Sequence, residues 1–254
     1  MPCWAYYPKQ DMGDREKPEE YYLHINDIID YMSKSPLLSA IVKKIKYITN
    51  IEEEFIVDFI LLSGLFHDIG KTIIHYQKNP VNFSGHEVAS MVFVYHALIK
   101  IGLLKSNDII KKLMESSNTG KKELYAALTL VPIFLHHYAF GNFNERIKKG
   151  LELVNNKDDF RIYDDCKDEI EKTLKYINEI IKSEEAIKVI KAAKELITTN
   201  DLHIVIHKLD DQVEKDLPYL SSDSINLRIA STVLSLLNEA DGRVSIKNRR
   251  RNPK

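Results

Sequence analysis

The chain has 254 residues, 44% of them hydrophobic, which suits one large domain with a substantial core. Its 36 lysine and arginine residues nearly balance its 37 aspartate and glutamate residues, which excludes nucleic-acid binding through overall positive charge. No apolar stretch reaches transmembrane length, and the polar N-terminus is unlike a signal peptide, so we expect no membrane partner.

The cysteine content indicates the redox state of the cellular compartment in which the protein works. The two cysteines, Cys3 and Cys166, suggest no disulfide framework and a reducing compartment, for which we expect the cytoplasm. Lysine, isoleucine and glutamate are abundant and glutamine is scarce, a composition found in proteins from thermophiles.

Apolar residues recur with helical spacing along the chain, and this predicts an all-α fold. Two capping-box patterns, Thr49 with Glu52 and Ser84 with Glu87, predict the starts of two helices. Gly70 is predicted to be the C-cap of the first of them. The other expected helices cover residues 18–33, 37–47, 107–116, 121–130, 160–182, 184–198 and 223–241, with one more opening at Pro132.

The segment Phe55–Lys71 is almost entirely apolar until it presents His67 and Asp68 side by side. A buried histidine and aspartate need partners, because an unpaired buried charge is costly. Candidate partners are the other polar residues at predicted helix ends or within apolar segments. The full set is His24, His67, Asp68, His86, His136, His137 and Asp241.

Imidazole nitrogens and carboxylate oxygens together suit divalent transition metals. The set is larger than one ordinary site uses, and two metals need a bridging group such as a carboxylate. Each residue also has an ordinary alternative. A single HD dipeptide can arise by chance. Without a metal site, His24 and Asp241 would face solvent and His86 would be an ordinary first-turn residue. His136 and His137 would then be one core and one surface histidine.

The ordered combination of H, HD, H, HH and D resembles the HD metal-dependent phosphohydrolase superfamily. The resemblance depends on His24, on His67-Asp68 in LFHDIGK, and on Asp241 in NEADGRVS. SGHEVAS and the doublet in LHH further resemble the stand-alone HD nuclease subunit of type I CRISPR interference systems. The resemblance covers about residues 18–141 and 223–245. It implies an HD-domain helical bundle. The charged, helical pattern of residues 143–216 predicts an additional helical lobe that the resemblance does not cover, and residues 246–254 form a basic tail.

The resemblance implies a centre with two divalent metal ions (Mn, Co, Ni, Fe or Mg). The residues His24, His67, Asp68 and Asp241 would hold one ion, and Asp68 would bridge to a second ion held by His86, His136 and His137. Asp201 competes with Asp241 for its role, and Ser90 would support the site or simply fill space. A second histidine pair, His203 and His207, has the i, i+4 spacing of a metal site.

Two basic elements are candidates for contact with nucleic acid. Lys71 would hold the scissile phosphate and act with Asp68 in catalysis, or else complement a helix dipole. The run Arg249, Arg250 and Arg251 would contact the phosphate backbone, or else solubilise the terminus.

The activity implied is hydrolysis of phosphodiester bonds in single-stranded DNA, as an endonuclease, a 3′–5′ exonuclease or both. Single-stranded RNA stays open as a second substrate. The implied partners are a separate CRISPR helicase subunit and a guide-RNA surveillance complex. Two alternatives remain: an HD phosphohydrolase of small nucleotides, and a non-catalytic helical adaptor with a degenerate site.

Overall fold

The computed structural model describes residues 2–8, 16–106, 110–117, 119–138, 142–202 and 224–250. Over these residues the fold is all-α, as predicted, with one small antiparallel sheet of β1 (Trp4–Tyr6) and β2 (Glu19–Glu20). The helices are α1 (Tyr21–Lys34), α2 (Pro36–Thr49), α3 (Glu53–Phe66), α4 (Ile74–Gln77), α5 (His86–Lys100), α6 (Ile110–Glu115), α7 (Lys121–Tyr125), α8 (Val131–Leu135), α9 (Phe143–Asn155), α10 (Asp164–Asn178), α11 (Glu184–Thr199) and α12 (Ile225–Arg249).

Helix α3 is the centre of the hydrophobic core, and α1, α2 and α11 surround it. It ends at Phe66 with His67 as its C-cap, so the predicted continuation to Gly70 is wrong. A turn at His67 and Asp68 leads into a 3₁₀ turn over Ile69–Thr72. The prediction that Gly70 is a C-cap is also wrong, because its N–H donates to Ser90 Oγ on α5 at 2.8 Å. This contact joins the turn after α3 to helix α5.

Three predicted helix starts are displaced. Helix α1 begins at Tyr21 rather than near Pro18, because Glu19 and Glu20 pair with β1. Thr49 is the last residue of α2 and its hydroxyl donates to the Ile45 carbonyl, so it does not cap α3. The N-cap of α5 is Gly85 in a left-handed conformation, so the second capping box is wrong as well.

Helices α7 and α8 form one continuous rod through a π-helical turn at Ala126–Leu130. Pro132 accounts for this irregularity, because a proline inside a helix has no N–H to donate and its ring clashes with the carbonyl four residues earlier. The rod ends at Leu135, so His136 and His137 lie in the turn just beyond it.

Helices α9, α10 and α11 belong to the segment expected as an additional lobe. They lie against α5, α1 and α3, and their apolar residues share the core with those helices. Helix α12 lies along α1 and α8 and continues to Arg249, well beyond its predicted end at Asp241. Its last turns therefore occupy the first residues of the expected basic tail.

A disulfide joins Cys3 beside β1 to Cys166 on α10, although the composition suggested no disulfide framework. The N-terminal strand is also held by hydrogen bonds, from Cys3 N to Glu169 Oε1 at 3.0 Å and from Trp4 N to Gln77 Oε1 at 3.0 Å. Among the described helices, none combines the length and apolar character needed to cross a bilayer.

Candidate metal centre

Seven side chains from separate elements meet at one end of the buried helix α3. They form two groups, and within each group one potential ligand atom per residue lies within 4.8 Å of the others. One group comes from α1, the turn after α3, and α12: His24, His67 and Asp241. The other comes from that same turn, the start of α5, and the turn after α8: Asp68, His86, His136 and His137. All seven histidines and aspartates named from the sequence are in these groups.

The carboxylate of Asp68 lies between the two groups. Its Oδ2 atom is 3.3 Å from His24 Nε2 and 3.5 Å from His67 Nε2. Its Oδ1 atom is 2.9 Å from His86 Nε2 and 3.7 Å from His136 Nε2. Each oxygen thus faces a different pair of imidazoles.

Four imidazoles present the same nitrogen to this centre. The Nδ1 atoms of His67, His86 and His136 lie 2.8, 2.6 and 2.5 Å from the carbonyl oxygens of Gly64, Phe83 and Ile133. A carbonyl can only accept, so these three Nδ1 atoms must carry the hydrogen. The Nδ1 atom of His24 lies 2.8 Å from the carboxylate oxygen Oε1 of Glu19. In neutral imidazoles of this tautomer Nε2 is unprotonated, as metal binding requires.

Buried polar atoms without hydrogen bonds indicate whether the cluster suits a metal ion. In the described part of the chain, His24 Nε2, His67 Nε2 and Asp68 Oδ1 are buried and have no hydrogen-bond partner. All three point toward the shared centre, where carboxylate oxygens and imidazole nitrogens lie within contact distance. A buried polar atom without a partner costs roughly 1–3 kcal/mol, and a bound cation would remove that cost. The cluster therefore fits a metal ion.

The electrostatics of His67 and His86 agree with a ligand role, whereas the surroundings of His24 favour its protonated form in the metal-free protein. Burial lowers the pKa of His67 to about 4, and burial with the nearby Lys71 also lowers the pKa of His86. Both imidazoles are therefore neutral at pH 7. Burial acts on His24 in the same direction, but the carboxylates of Asp241, Asp68 and Glu19 outweigh it and raise its pKa well above the usual range.

The Asp68 carboxylate is ionised despite its burial. Desolvation alone would raise its pKa, but Lys71 and the neighbouring histidines hold that pKa well below its usual value. The Lys71 ammonium is itself nearly buried and lies 2.6 Å from Asp68 Oδ2. Lys71 is thus placed directly at the cluster, on the Asp68 oxygen that faces His24 and His67.

Two contacts hold helix α5 in position, and one of them was missed from the sequence. The buried hydroxyl of Ser90 accepts the Gly70 N–H, which ties α5 to the turn that carries Asp68. The buried carboxylate of Glu87 is held by Arg146 of α9, through Nε at 2.6 Å and through a second nitrogen at 2.9 Å. Sequence spacing gives no signal for this pair, because its members are 59 positions apart.

The remaining candidates lie elsewhere. Asp201 is exposed and belongs to neither group, and His75 is half-exposed beside Asp159. Arg249 pairs with Glu19 at 2.7 Å, and Arg250 forms a backbone bridge with Glu16. His203, His207 and Arg251 lie outside the described residues.

Comparisons of the chain with protein family models, with curated proteins and with solved structures find no match. The cluster that the structure presents is a buried set of histidines and aspartates able to hold a metal ion. What such a site does must be argued from its own geometry.

Proposed function

We propose that the protein is a metal-dependent phosphodiester hydrolase that cuts single-stranded DNA in CRISPR interference. The observation that carries the proposal is the division of the ligands into two groups, with one oxygen of Asp68 facing each. Such a division suits two divalent ions, for which nitrogen-rich ligands favour Mn, Co, Ni or Fe over Mg. Two bound ions would acidify a water molecule and neutralise the charge on a phosphate.

The protein residues would contribute orientation and charge. The backbone carbonyls behind His67, His86 and His136 fix the ring orientation, so that the ligand nitrogens need little rearrangement. Lys71 neutralises Asp68 in the metal-free structure. When Asp68 binds cations instead, the Lys71 ammonium would be released a short distance from the reacting phosphate and would bind one of its oxygens.

A substrate would reach the centre from the side of His137 and Asp241. These two are partly exposed, with 21% of the Asp241 side chain accessible, whereas the other five ligands are buried. An opening on this side suits an extended strand whose backbone phosphates pass the centre. Contacts with phosphates alone do not discriminate against a 2′-hydroxyl, so single-stranded RNA would be a second substrate.

The proposal includes partners and a location. A separate helicase and a guide-RNA complex would expose the single strand, and the reaction would take place in the cytoplasm. The Cys3–Cys166 disulfide is compatible with that location in thermophiles, whose intracellular proteins commonly contain disulfides.

The test is digestion of circular single-stranded DNA with Mn²⁺, which detects endonuclease action without interference from exonucleases. We expect metal-dependent cutting that EDTA and Asp68→Asn abolish. The matched control is Asp30→Asn, which replaces a partly exposed aspartate of α1 that pairs with Lys34 and accepts a hydrogen bond from Tyr176, outside the cluster. This control should cut like the wild type.

Other outcomes redirect the proposal. If the circle survives, linear DNA tests end-dependent attack, and deoxynucleoside triphosphates and cyclic dinucleotides test the small-nucleotide alternative. If a folded protein binds no Mn²⁺ and cuts nothing, the proposal is wrong and the adaptor alternative stands.

A further inference from the structure

We infer that Glu19 is a positioning residue that orients His24 for metal binding, and that Arg249 holds Glu19 in place. The inference depends on the metal-binding part of the proposed function and goes beyond it. It names two residues outside the ligand set, one near each end of the chain, and the more central of them, Glu19, contacts the ligand His24 directly.

The contacts of Glu19 place its carboxylate directly against the His24 ring. Its side chain is 1% accessible, and Oε1 lies 2.8 Å from His24 Nδ1. The Nδ1 atoms of His67, His86 and His136 have backbone carbonyls as hydrogen-bond partners, whereas that of His24 has a carboxylate. Glu87 Oε2 also lies near His86 Nδ1, but at the longer distance of 3.4 Å. A carboxylate behind a metal-binding imidazole fixes the ring and makes Nε2 a stronger ligand.

A network from both chain ends keeps Glu19 ionised and oriented. Arg249 Nε donates to Glu19 Oε2 at 2.7 Å, and Asn248 Nδ2 donates to Glu19 Oε1 at 3.1 Å. The Arg249 guanidinium also lies over the ring of Tyr6 in β1, 4.3 Å from its centroid. These contacts hold the Glu19 carboxylate beside His24, so the last turn of α12 serves the site indirectly.

This placement gives Arg249 a role different from contact with a nucleic-acid backbone. Its side chain is 22% accessible and ion-paired with a buried carboxylate. Losing it would leave the Glu19 charge buried without its cationic partner, which is unfavourable. Arg249 is therefore coupled to the metal through Glu19 and His24.

An ordinary structural role for Glu19, in fastening β1 and β2 to the core, makes a different prediction. Glu169 provides the matched control, because its carboxylate accepts from Cys3 N at 3.0 Å and Tyr22 N at 3.3 Å and so fastens the same region without contacting a histidine. If fastening is what matters, Glu19→Gln and Glu169→Gln should affect metal binding alike.

The experiment is calorimetric titration of the metal-free protein with Mn²⁺, with circular dichroism as a check on folding. In Glu19→Gln we expect the affinity of one site to fall about 10–100-fold, the usual effect of losing such a supporting contact. Glu169→Gln should bind like the wild type. In a His24→Gln background, Glu19→Gln should cause no further loss, because its route to the metal is already removed.

Arg249→Gln is the second variant should Glu19→Gln fail to fold, and we expect a smaller loss at the same site. Wild-type affinity in Glu19→Gln, or a loss that adds fully to that of His24→Gln, would overturn the inference and leave the proposed function intact. Failure of the wild-type protein to bind Mn²⁺ would overturn both.

Discussion

The Nε2 atoms of His86 and His136 lie 3.1 Å apart, although each imidazole presents its Nδ1 atom to a backbone carbonyl. Neutral rings in this tautomer have no hydrogen on Nε2, so two lone pairs face each other beside Asp68 Oδ1. This arrangement is unfavourable unless a cation binds there. The metal-free protein should therefore gain stability from the right ion.

We expect Mn²⁺ to raise the melting temperature of protein freed of metal by EDTA. At a free concentration 100 times the dissociation constant, binding contributes about 2.7 kcal/mol. For a chain of this size the shift would be roughly 5–10 °C. Scanning calorimetry measures it. His86→Gln should lose most of the shift, whereas the half-exposed His75→Gln should retain it. Equal shifts in the two variants would contradict the assigned ligands.

The residue types of this centre could be predicted from the sequence because they are conspicuous against an apolar background. His67 and Asp68 follow an apolar stretch, and His86 opens a helix whose other residues are mostly buried. Helical spacing also gives the all-α class and most helices. These signals are local in the sequence, so they can be recognised without knowing which residues come together in the fold.

What could not be predicted depends on tertiary contacts. Helix α3 ends before Gly70 because that residue meets α5, and Glu19 is drawn into a strand by β1. Arg249 belongs to a basic run, which suggests contact with nucleic acid, yet the fold brings a buried carboxylate to it. Charge patterns along a sequence do not reveal such distant pairings.

Gly70→Ala should damage the centre without altering any ligand. A Cβ atom there would lie 2.3 Å from the His86 carbonyl oxygen and 2.8 Å from the Ser90 nitrogen, so the turn and α5 must separate. We expect a stability loss of about 1–3 kcal/mol and weaker Mn²⁺ binding. Urea unfolding and calorimetric titration measure the two effects.

The control for this change is Gly242→Ala in α12. Within the described structure, a Cβ atom at that position meets nothing within 4 Å. The Gly242→Ala variant should have a free energy of unfolding about 0.5–1 kcal/mol higher than the wild type, because alanine is more favourable than glycine inside a helix. Unimpaired metal binding by Gly70→Ala would show that the close approach of Gly70 to α5 does not set the spacing between Asp68 and His86.

Arg146→Met should destabilise the protein by about 3 kcal/mol, because it leaves the fully buried Glu87 carboxylate without its partner. Urea unfolding of the single variants and of Glu87→Gln/Arg146→Met forms a double-mutant cycle. The double variant should recover much of the loss. Arg243→Met breaks a more exposed pair with Glu239 and should cost less than about 1 kcal/mol. Similar losses in both arginine variants would contradict the buried-pair interpretation.

The Cys3–Cys166 disulfide should contribute about 2–5 kcal/mol to the free energy of unfolding, because it closes a loop between residues 163 positions apart. Urea unfolding of the oxidised protein with and without dithiothreitol measures the contribution. Cys3→Ala, Cys166→Ala and the double variant should all lose this contribution, since each lacks the same bond. An unfolding free energy unaffected by dithiothreitol would mean that the thiols are not paired.

The metal-free protein should lose stability as the pH falls below about 6.5, in part because of His67. Burial lowers the pKa of His67 to about 4 in the folded protein, whereas an unfolded histidine titrates near 6.5. Between these values the unfolded chain binds a proton that the folded chain does not, so unfolding is favoured. The loss begins near pH 6.5 and is complete only below pH 4.

The size of this effect follows from the difference between the two pKa values. One pKa unit corresponds to about 1.4 kcal/mol, so His67 should account for a loss of about 2–3 kcal/mol between pH 7.5 and 4.5. Urea unfolding in EDTA over this range, for the wild type and His67→Gln, isolates the contribution as the difference in slope. Parallel curves for the wild type and His67→Gln would mean that folding does not lower the pKa of His67.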